Sequence, residues 1–183
     1  MNRDEALTLV KENVGNKKLL NHMLAVEAIM RRLAEHLGEN VEVWGLTGLL
    51  HDIDYEKTLG NPKAHGLVAE EILGGRVKDE VVRAIKAHNY ENTGVEPLST
   101  MEKALIAADS ISGLIIACAL VMPSKKLRDV KLKTIRKKFK DKDFARGSSR
   151  ERIMFCEEIG IERDEFFKIA LEALQSIGEQ LGL

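Results

Sequence analysis

Apolar residues recur along most of the chain at the three- to four-residue spacing of amphipathic helices, and the strict alternation of strands is nearly absent. Prolines 62, 97 and 123 mark breaks between these periodic segments. The pattern therefore predicts an all-α fold. The predicted helices cover residues 3–14, 17–37, 41–52, 64–74, 77–89, 100–122, 126–139, 149–159 and 163–181.

The composition changes along the chain at Pro123. The segment from Lys125 to Arg152 is dense in lysine and arginine, whereas the segment before Pro123 is strongly apolar. A chain of 183 residues suits one domain with a small helical extension. We predict a core bundle over residues 1–122 and a helical appendage over residues 123–183 that packs on the core.

One apolar segment, residues 104–122, resembles a membrane span in length. It contains Asp109, Ser110, Ser112 and Gly113, and no second segment of this kind accompanies it. A buried core helix accounts for these features better than a membrane helix does. We predict no membrane partner.

The overall charge and the cysteines restrict the class of protein further. With 28 basic and 29 acidic residues the formal net charge is -1, so no global attraction to nucleic acid or anionic membranes is expected. We predict no nucleic-acid polymer as partner. Cys118 and Cys156 lack the spacing of a disulfide framework or metal site, and the N-terminus lacks an apolar signal region. Both features predict a cytoplasmic location.

Four of the five histidines lie on predicted apolar helix faces. His22 shares its face with Val26, Ile29 and Leu33 at helical spacing. The other inward polar residues lie on similar faces or at the ends of apolar helices. They are His65, His88, the doublet His51-Asp52, and Asp109, which lies within Leu105-Ile106-Ala107-Ala108-Asp109.

An inward carboxylate among apolar residues requires a cation, because an unpaired buried charge is costly. Taken singly, each histidine is more often a hydrogen-bonded core residue, and a lone His-Asp doublet is weak evidence. The ordered set on separate helices favours a divalent metal, whose ligands are neutral imidazole nitrogens and carboxylate oxygens. His36, beside Arg32 and Glu35 near a helix end, is assigned no role.

The order His22, His51-Asp52, Asp109 resembles the signature of the HD superfamily of metal-dependent phosphohydrolases. The resemblance covers residues 17 to about 115 and extends to the flanking residues, and it implies an HD-domain helical bundle with a C-terminal helical extension. The similar flanking segments are Gly48-Leu49-Leu50-His51-Asp52-Ile53, Ala64-His65-Gly66, Ala87-His88-Asn89 and Ala107-Ala108-Asp109.

The resemblance also implies a set of metal ligands. His22, His51, Asp52 and Asp109 would hold one ion, and His65 and His88 a second, with Asp52 bridging the two. The implied cofactor is one or two divalent ions of iron, manganese or another transition metal, because His/Asp sites suit several metals. Asp52, His65 and His88 are the catalytic candidates.

The implied reaction is hydrolysis of a phosphate ester or phosphoanhydride in a nucleotide-like small molecule, with a metal-activated water as nucleophile. Three alternatives stay open: a dinucleoside polyphosphate hydrolase, a di-iron oxygenase of the HD fold, and a non-catalytic metal-containing ligand-binding module. Apolar residues near the C-terminus fit either core or oligomer packing, which leaves a homo-oligomer open.

Substrate contacts are predicted at two basic positions. Many members of the superfamily carry a lysine shortly after the doublet, where this chain has Tyr55, with Lys57 two residues later. We take Lys57 as one candidate contact for phosphate. Asp54 and Glu56 fit either hydrogen bonds to the site or a solvated loop. Arg146 precedes a predicted helix start and is the second candidate, since such starts favour anions.

Overall fold

The computed structural model describes residues 1–183 and confirms the all-α fold, because it contains helices and turns but no strand. Two short 3-10 turns, Tyr55–Lys57 and Leu127–Asp129, join the α-helices. The α-helices are α1 (Arg3–Asn13), α2 (Lys17–Leu37), α3 (Val41–Leu50), α4 (Leu67–Leu73), α5 (Asp79–His88), α6 (Tyr90–Thr93), α7 (Thr100–Leu120), α8 (Leu132–Lys140), α9 (Arg150–Ile153), α10 (Phe155–Glu158), α11 (Arg163–Ser176) and α12 (Gly178–Leu181).

The predicted and observed helix ends differ mainly where a turn replaces a helical segment. The helix predicted over 64–74 begins only at Leu67, because Gly66 precedes it with φ 89°. The helix predicted over 126–139 begins at Leu132, since a 3-10 turn occupies the start of that segment. The helix predicted over 149–159 is divided at Met154 into α9 and α10.

Helix α7 forms the centre of the bundle. It packs against seven other helices: α2, α3, α5, α8, α9, α10 and α11. Its length and apolar composition would suffice to cross a membrane, but most of the apolar window is buried inside the protein. The apolar character of α7 is therefore used in packing against its neighbours.

Both predicted segments share one apolar core. A continuous cluster of 45 buried residues extends from Ala6 to Leu181 and includes Phe166 and Phe167 of α11. The appendage lies against α7 and α2 through α8–α11. The domain boundary after residue 122 stays a prediction.

The packing of α3 on α2 depends on a glycine. A Cβ atom at Gly48 would lie 2.9 Å from the backbone of Val26 and Glu27, closer than side chains normally approach. Glycine therefore allows the two helices to come together at this point. His51 follows one turn later and consequently meets His22 of α2.

We expect Gly48→Ala to lower the free energy of unfolding by about 1–3 kcal/mol, because the added methyl group forces α3 away from α2. Urea denaturation of the purified variant measures this change. Gly15→Ala is the matched control, since its Cβ would meet only the flexible Glu56 side chain at 3.7 Å. Equal stability of the two variants would contradict the close approach at Gly48.

Candidate metal centre

Six polar side chains from five chain segments converge beside α7. His22 comes from α2 and Asp109 from α7, while the others lie at or beside helix ends. These others are His51 and Asp52 after α3, His65 before α4, and His88 as the last residue of α5. They form two groups that could each hold a metal ion: His22, His51 and Asp52, and Asp52, His65 and His88.

The first group is built around two imidazoles. His22 Nε2 lies 3.2 Å from His51 Nε2 and 3.1 Å from Asp109 Oδ1. Asp52 Oδ2 lies 3.4 Å from His51 Nε2 and 3.7 Å from His22 Nε2. Asp109 thus lies beside the first group, within hydrogen-bond distance of His22.

The second group uses the other oxygen of the same carboxylate. Asp52 Oδ1 lies 3.2 Å from His65 Nε2 and 3.5 Å from His88 Nε2, and these two nitrogens are 3.0 Å apart. Each oxygen of Asp52 therefore faces a separate pair of histidines. This is the arrangement that a carboxylate bridging two cations requires.

Two of the histidines are oriented by backbone carbonyls. His51 Nδ1 donates to Gly48 O at 2.8 Å, and His88 Nδ1 donates to Ile85 O. A carbonyl oxygen only accepts, so each Nδ1 must carry its proton. In the neutral imidazole the lone pair is then on Nε2, which faces the centre of the cluster.

The other two histidines are oriented by side chains. His65 Nδ1 donates to Asp54 Oδ1 at 2.9 Å. Ser112 Oγ donates to Asp109 O at 2.8 Å, so its lone pair can accept from His22 Nδ1 at 3.2 Å. All four imidazoles therefore present Nε2 to the same small space.

The carboxylates of the cluster are held in their charged form. Burial opposes ionisation, but the positive charge of His51 outweighs it and holds the pKa of Asp52 well below its usual range. Burial is likewise outweighed at Asp109, where the hydrogen bond with His22 lowers the pKa to about 2.

Without a metal, positive charge in the cluster comes from protonated histidines, and their pKa values differ. At His65 the hydrogen bonds with Asp52 and Asp54 outweigh burial and raise the pKa to about 9. Burial, together with the charges of His51 and His65, lowers the pKa of His88. Without a metal, His65 therefore favours its charged form and His88 its neutral form.

The chemistry of this donor set fits a divalent metal. The converging Nε2 lone pairs and the ionised Asp52 and Asp109 repel one another unless positive charge lies among them. Neutral imidazole and carboxylate are the ligands that first-row transition metals accept, and binding would release the protons that otherwise supply the charge.

Asp54, whose role the sequence left open, contacts His65 on the side of the ring that faces away from the other candidate ligands. Its side chain is fully buried and accepts from His65 Nδ1 and from the backbone N–H groups of Gly66 at 2.8 Å and Ala69 at 3.0 Å. One carboxylate thus caps the start of α4 and fixes the ring of His65.

Glu56 and Lys57 lie on the other side of this turn. Glu56 accepts from the backbone N–H groups of Gly15 and Asn16 at 3.0 and 2.7 Å, so it fastens the turn to the start of α2. The exposed amine of Lys57 donates to Asn13 Oδ1 at 2.6 Å. Lys57 therefore points towards α1 and does not line the cleft above the metal centre.

A cleft of two adjoining cavities opens over the centre. The first cavity, of about 530 Å³, is lined by every candidate ligand except the buried His51, and the second cavity, of about 520 Å³, lies between α7 and residues 145–148. Arg146 is exposed and lines neither cavity, whereas Arg152 lines both. Sequence reasoning missed Arg152, which was one cation within a long basic segment. His36 is exposed and lies outside the cleft.

Comparison with known proteins identifies the part of the chain that carries the candidate metal ligands. A family model described as HD domain matches residues 19–114, which include all six candidate ligands. Ribonuclease Y of Rubrobacter xylanophilus is 37% identical over 103 residues, and Ribonuclease Y of Chloroflexus aurantiacus is 34% identical over 99 residues. These alignments cover 52% and 53% of this chain but only 18% and 19% of the relatives. No solved structure matches the chain.

We expect the purified protein to hold two metal ions, and His65→Ala or His88→Ala to hold one. Either change removes an Nε2 ligand of the second group and leaves the first group complete. Inductively coupled plasma mass spectrometry on protein dialysed against metal-free buffer measures the ratio. A ratio of one in the wild type and in both variants would reject a dinuclear centre.

Asp54→Ala should lower the free energy of unfolding by at least about 2 kcal/mol, because it leaves two buried N–H groups without acceptors. It should also weaken the second ion, since His65 loses its orientation. Asp54→Asn keeps one acceptor and should be intermediate. Glu56→Ala serves as control, and a fall in its metal content matching that of Asp54→Ala would contradict the supporting role of Asp54.

Proposed function

This chain belongs to the HD domain family, whose members are typically metal-dependent phosphohydrolases, and we propose that it hydrolyses a phosphate ester or phosphoanhydride in a nucleotide-like small molecule. One observation carries the proposal. Four imidazoles, each with its Nδ1 held by an acceptor, direct Nε2 towards the two oxygens of Asp52.

The residues divide the work between holding the metal and orienting its ligands. His22, His51 and Asp109 would hold one ion, His65 and His88 another, and Asp52 would contact both. When bound, a divalent metal supplies Lewis-acid chemistry that neutralises phosphoryl oxygens and acidifies water. Asp54 and Ser112 keep two of the imidazoles in the required orientation.

The cleft suits a charged substrate of small size. Besides candidate ligands, the first cavity is lined by Lys18, Tyr55, Asn89 and Arg152, among others. Few of the lining residues are apolar, so the cavity offers polar and charged contacts more than hydrophobic contact. A cavity of about 530 Å³ is in the usual range for small-molecule sites.

Hydrolysis of a phosphodiester bond in RNA is a second candidate. Two similar proteins are named Ribonuclease Y, although the match covers less than a fifth of each. The segment from Lys125 to Arg152 also contains thirteen basic and four acidic residues in a chain whose net charge is -1. Such a local excess of positive charge attracts polyanions.

The test is a panel of substrates offered to protein that has been stripped of metal and reloaded with manganese, iron or magnesium. Nucleoside monophosphates, nucleoside diphosphates, dinucleoside polyphosphates and short RNA separate the candidates. We expect metal-dependent release of phosphate or nucleotide from a small substrate. Oxygen consumption without hydrolysis would favour an oxygenase, and cleavage of RNA alone would favour the second candidate.

Asp109→Ala should lower kcat/KM by more than the roughly 100-fold typical for loss of an outer partner of a metal ligand, because it removes a ligand itself. His36→Ala, which changes an exposed histidine outside the cleft, should retain wild-type kcat/KM. Both variants are assayed on the best substrate of the panel with metal in excess. Retained activity in Asp109→Ala would exclude this aspartate from the centre.

A further inference from the structure

Arg152 lies at the junction of the two cavities. It belongs to α9, outside the family-matched residues 19–114, and it lines both the first and the second cavity. His22, Asp109 and Gly147 are the other residues common to both linings. A molecule that extends from the metal centre into the second cavity therefore passes the guanidinium group.

The guanidinium is held by a hydrogen bond to a backbone carbonyl and by two long ion pairs, with Asp109 and with Glu91. Its Nη2 donates to His88 O at 2.5 Å and lies 3.5 Å from Asp109 Oδ2, while Asp109 Oδ1 faces His22. Its Nη1 lies 3.6 Å from the exposed Glu91 carboxylate, beyond a good hydrogen bond. Nε makes no hydrogen bond within the chain and Nη1 makes only this long ion pair, so both can donate to an anion in the cleft.

The wall of the second cavity that faces α7 is held in place by hydrogen bonds from Arg150. Arg150 donates to six backbone carbonyls at 2.6–3.2 Å and so fastens the turn over residues 141–148 to the end of α8. The six carbonyls belong to Lys138, Phe139, Asp141, Phe144, Ala145 and Ser148. Ala145 adopts φ 49° in this turn, a conformation that residues other than glycine seldom adopt.

This fixed turn gives the second cavity its shape. Its lining includes the small residues Ser110, Gly113, Ala145, Gly147 and Ser148. The backbone N–H of Gly147 makes no hydrogen bond within the chain. The second cavity consequently has room for a substituent of the substrate, and Gly147 offers an unused N–H donor near the junction with the first cavity.

We propose that Arg152 is a substrate-binding residue that recognises a second phosphoryl group, adjacent to the one that is hydrolysed. The proposal rests on the proposed function and narrows it to substrates with two linked phosphoryl groups, such as nucleoside diphosphates. The first phosphoryl group occupies the first cavity beside the candidate metal ligands, the second meets Nη1 and Nε of Arg152, and the remainder of the substrate extends into the second cavity.

A purely structural role makes a different prediction. The contacts with His88 O and Asp109 would let Arg152 act only as a positioning residue for the metal ligands. Its loss would then lower metal content and weaken every phosphorylated ligand alike. A binding role instead affects ligands with a second phosphoryl group selectively.

The experiment measures binding of two non-hydrolysable probes, methylphosphonate and methylenediphosphonate, by calorimetry on manganese-loaded protein. Metal content is checked after each titration. The variants are Arg152→Gln, Arg152→Lys and, as control, Lys142→Gln, which removes an exposed cation of the same turn outside both cavities. Turnover of nucleoside mono- and diphosphates is measured in parallel.

We expect Arg152→Gln to weaken methylenediphosphonate at least about tenfold, as loss of hydrogen bonds from a charged donor implies, and methylphosphonate by less than about twofold. Arg152→Lys should recover part of the difference, because it keeps the charge but not the planar fork. Lys142→Gln should bind both probes as the wild type does.

Equal weakening of both probes, or a loss of metal in Arg152→Gln, would overturn the proposal and make Arg152 a positioning residue. If Arg152→Gln does not fold, Arg152→Lys decides, and unchanged diphosphonate affinity in that variant overturns it. An Arg152-dependent preference for diphosphonate without hydrolysis of any substrate would support the subsite while rejecting the proposed hydrolase. Hydrolysis of a substrate without that preference would support the proposed hydrolase and reject the Arg152 subsite.

Discussion

Two imidazole nitrogens face each oxygen of the Asp52 carboxylate, and each of the four rings is held from its far side by an acceptor. No ring can turn its Nε2 lone pair away without breaking its Nδ1 hydrogen bond. The lone pairs and the carboxylate charge therefore stay directed at one another. Positive charge at the centre is the condition that makes the arrangement stable, and the surrounding fold is organised to satisfy it.

Helix ends supply much of this organisation. The last carbonyls of an α-helix have no partner within the helix, and His51 and His88 each turn their Nδ1–H onto the carbonyl three residues earlier. Gly48 has two roles: its lack of a side chain allows α2 to approach closely, and its carbonyl orients His51. At the start of α4 the unpaired backbone groups are N–H donors, not carbonyls. There a side chain provides the acceptor, because the Asp54 carboxylate accepts from these N–H groups and also orients His65.

The sequence predicted the features that depend on periodicity and order. The all-α fold followed from helical spacing, and the candidate ligands followed from polar residues that interrupt apolar faces in a fixed order. The positions of Lys57 and Arg146 could not be predicted in this way, because both are exposed and their direction depends on how a turn folds. Arg152 carries no local signal at all. Its place in the cleft depends on the fold of α9 against α7.

The division between matched and unmatched residues has a consequence for substrate choice. The ligands lie within residues 19–114, which match the HD domain, whereas Arg152 and the turn over residues 141–148 lie beyond them. Proteins that share the matched part share the segment that carries the candidate metal ligands. Under the proposed function, the wall that would select the phosphorylated substrate comes from a segment outside the family match. The similar proteins match only about half of this chain, so their names indicate the type of chemistry more strongly than the substrate.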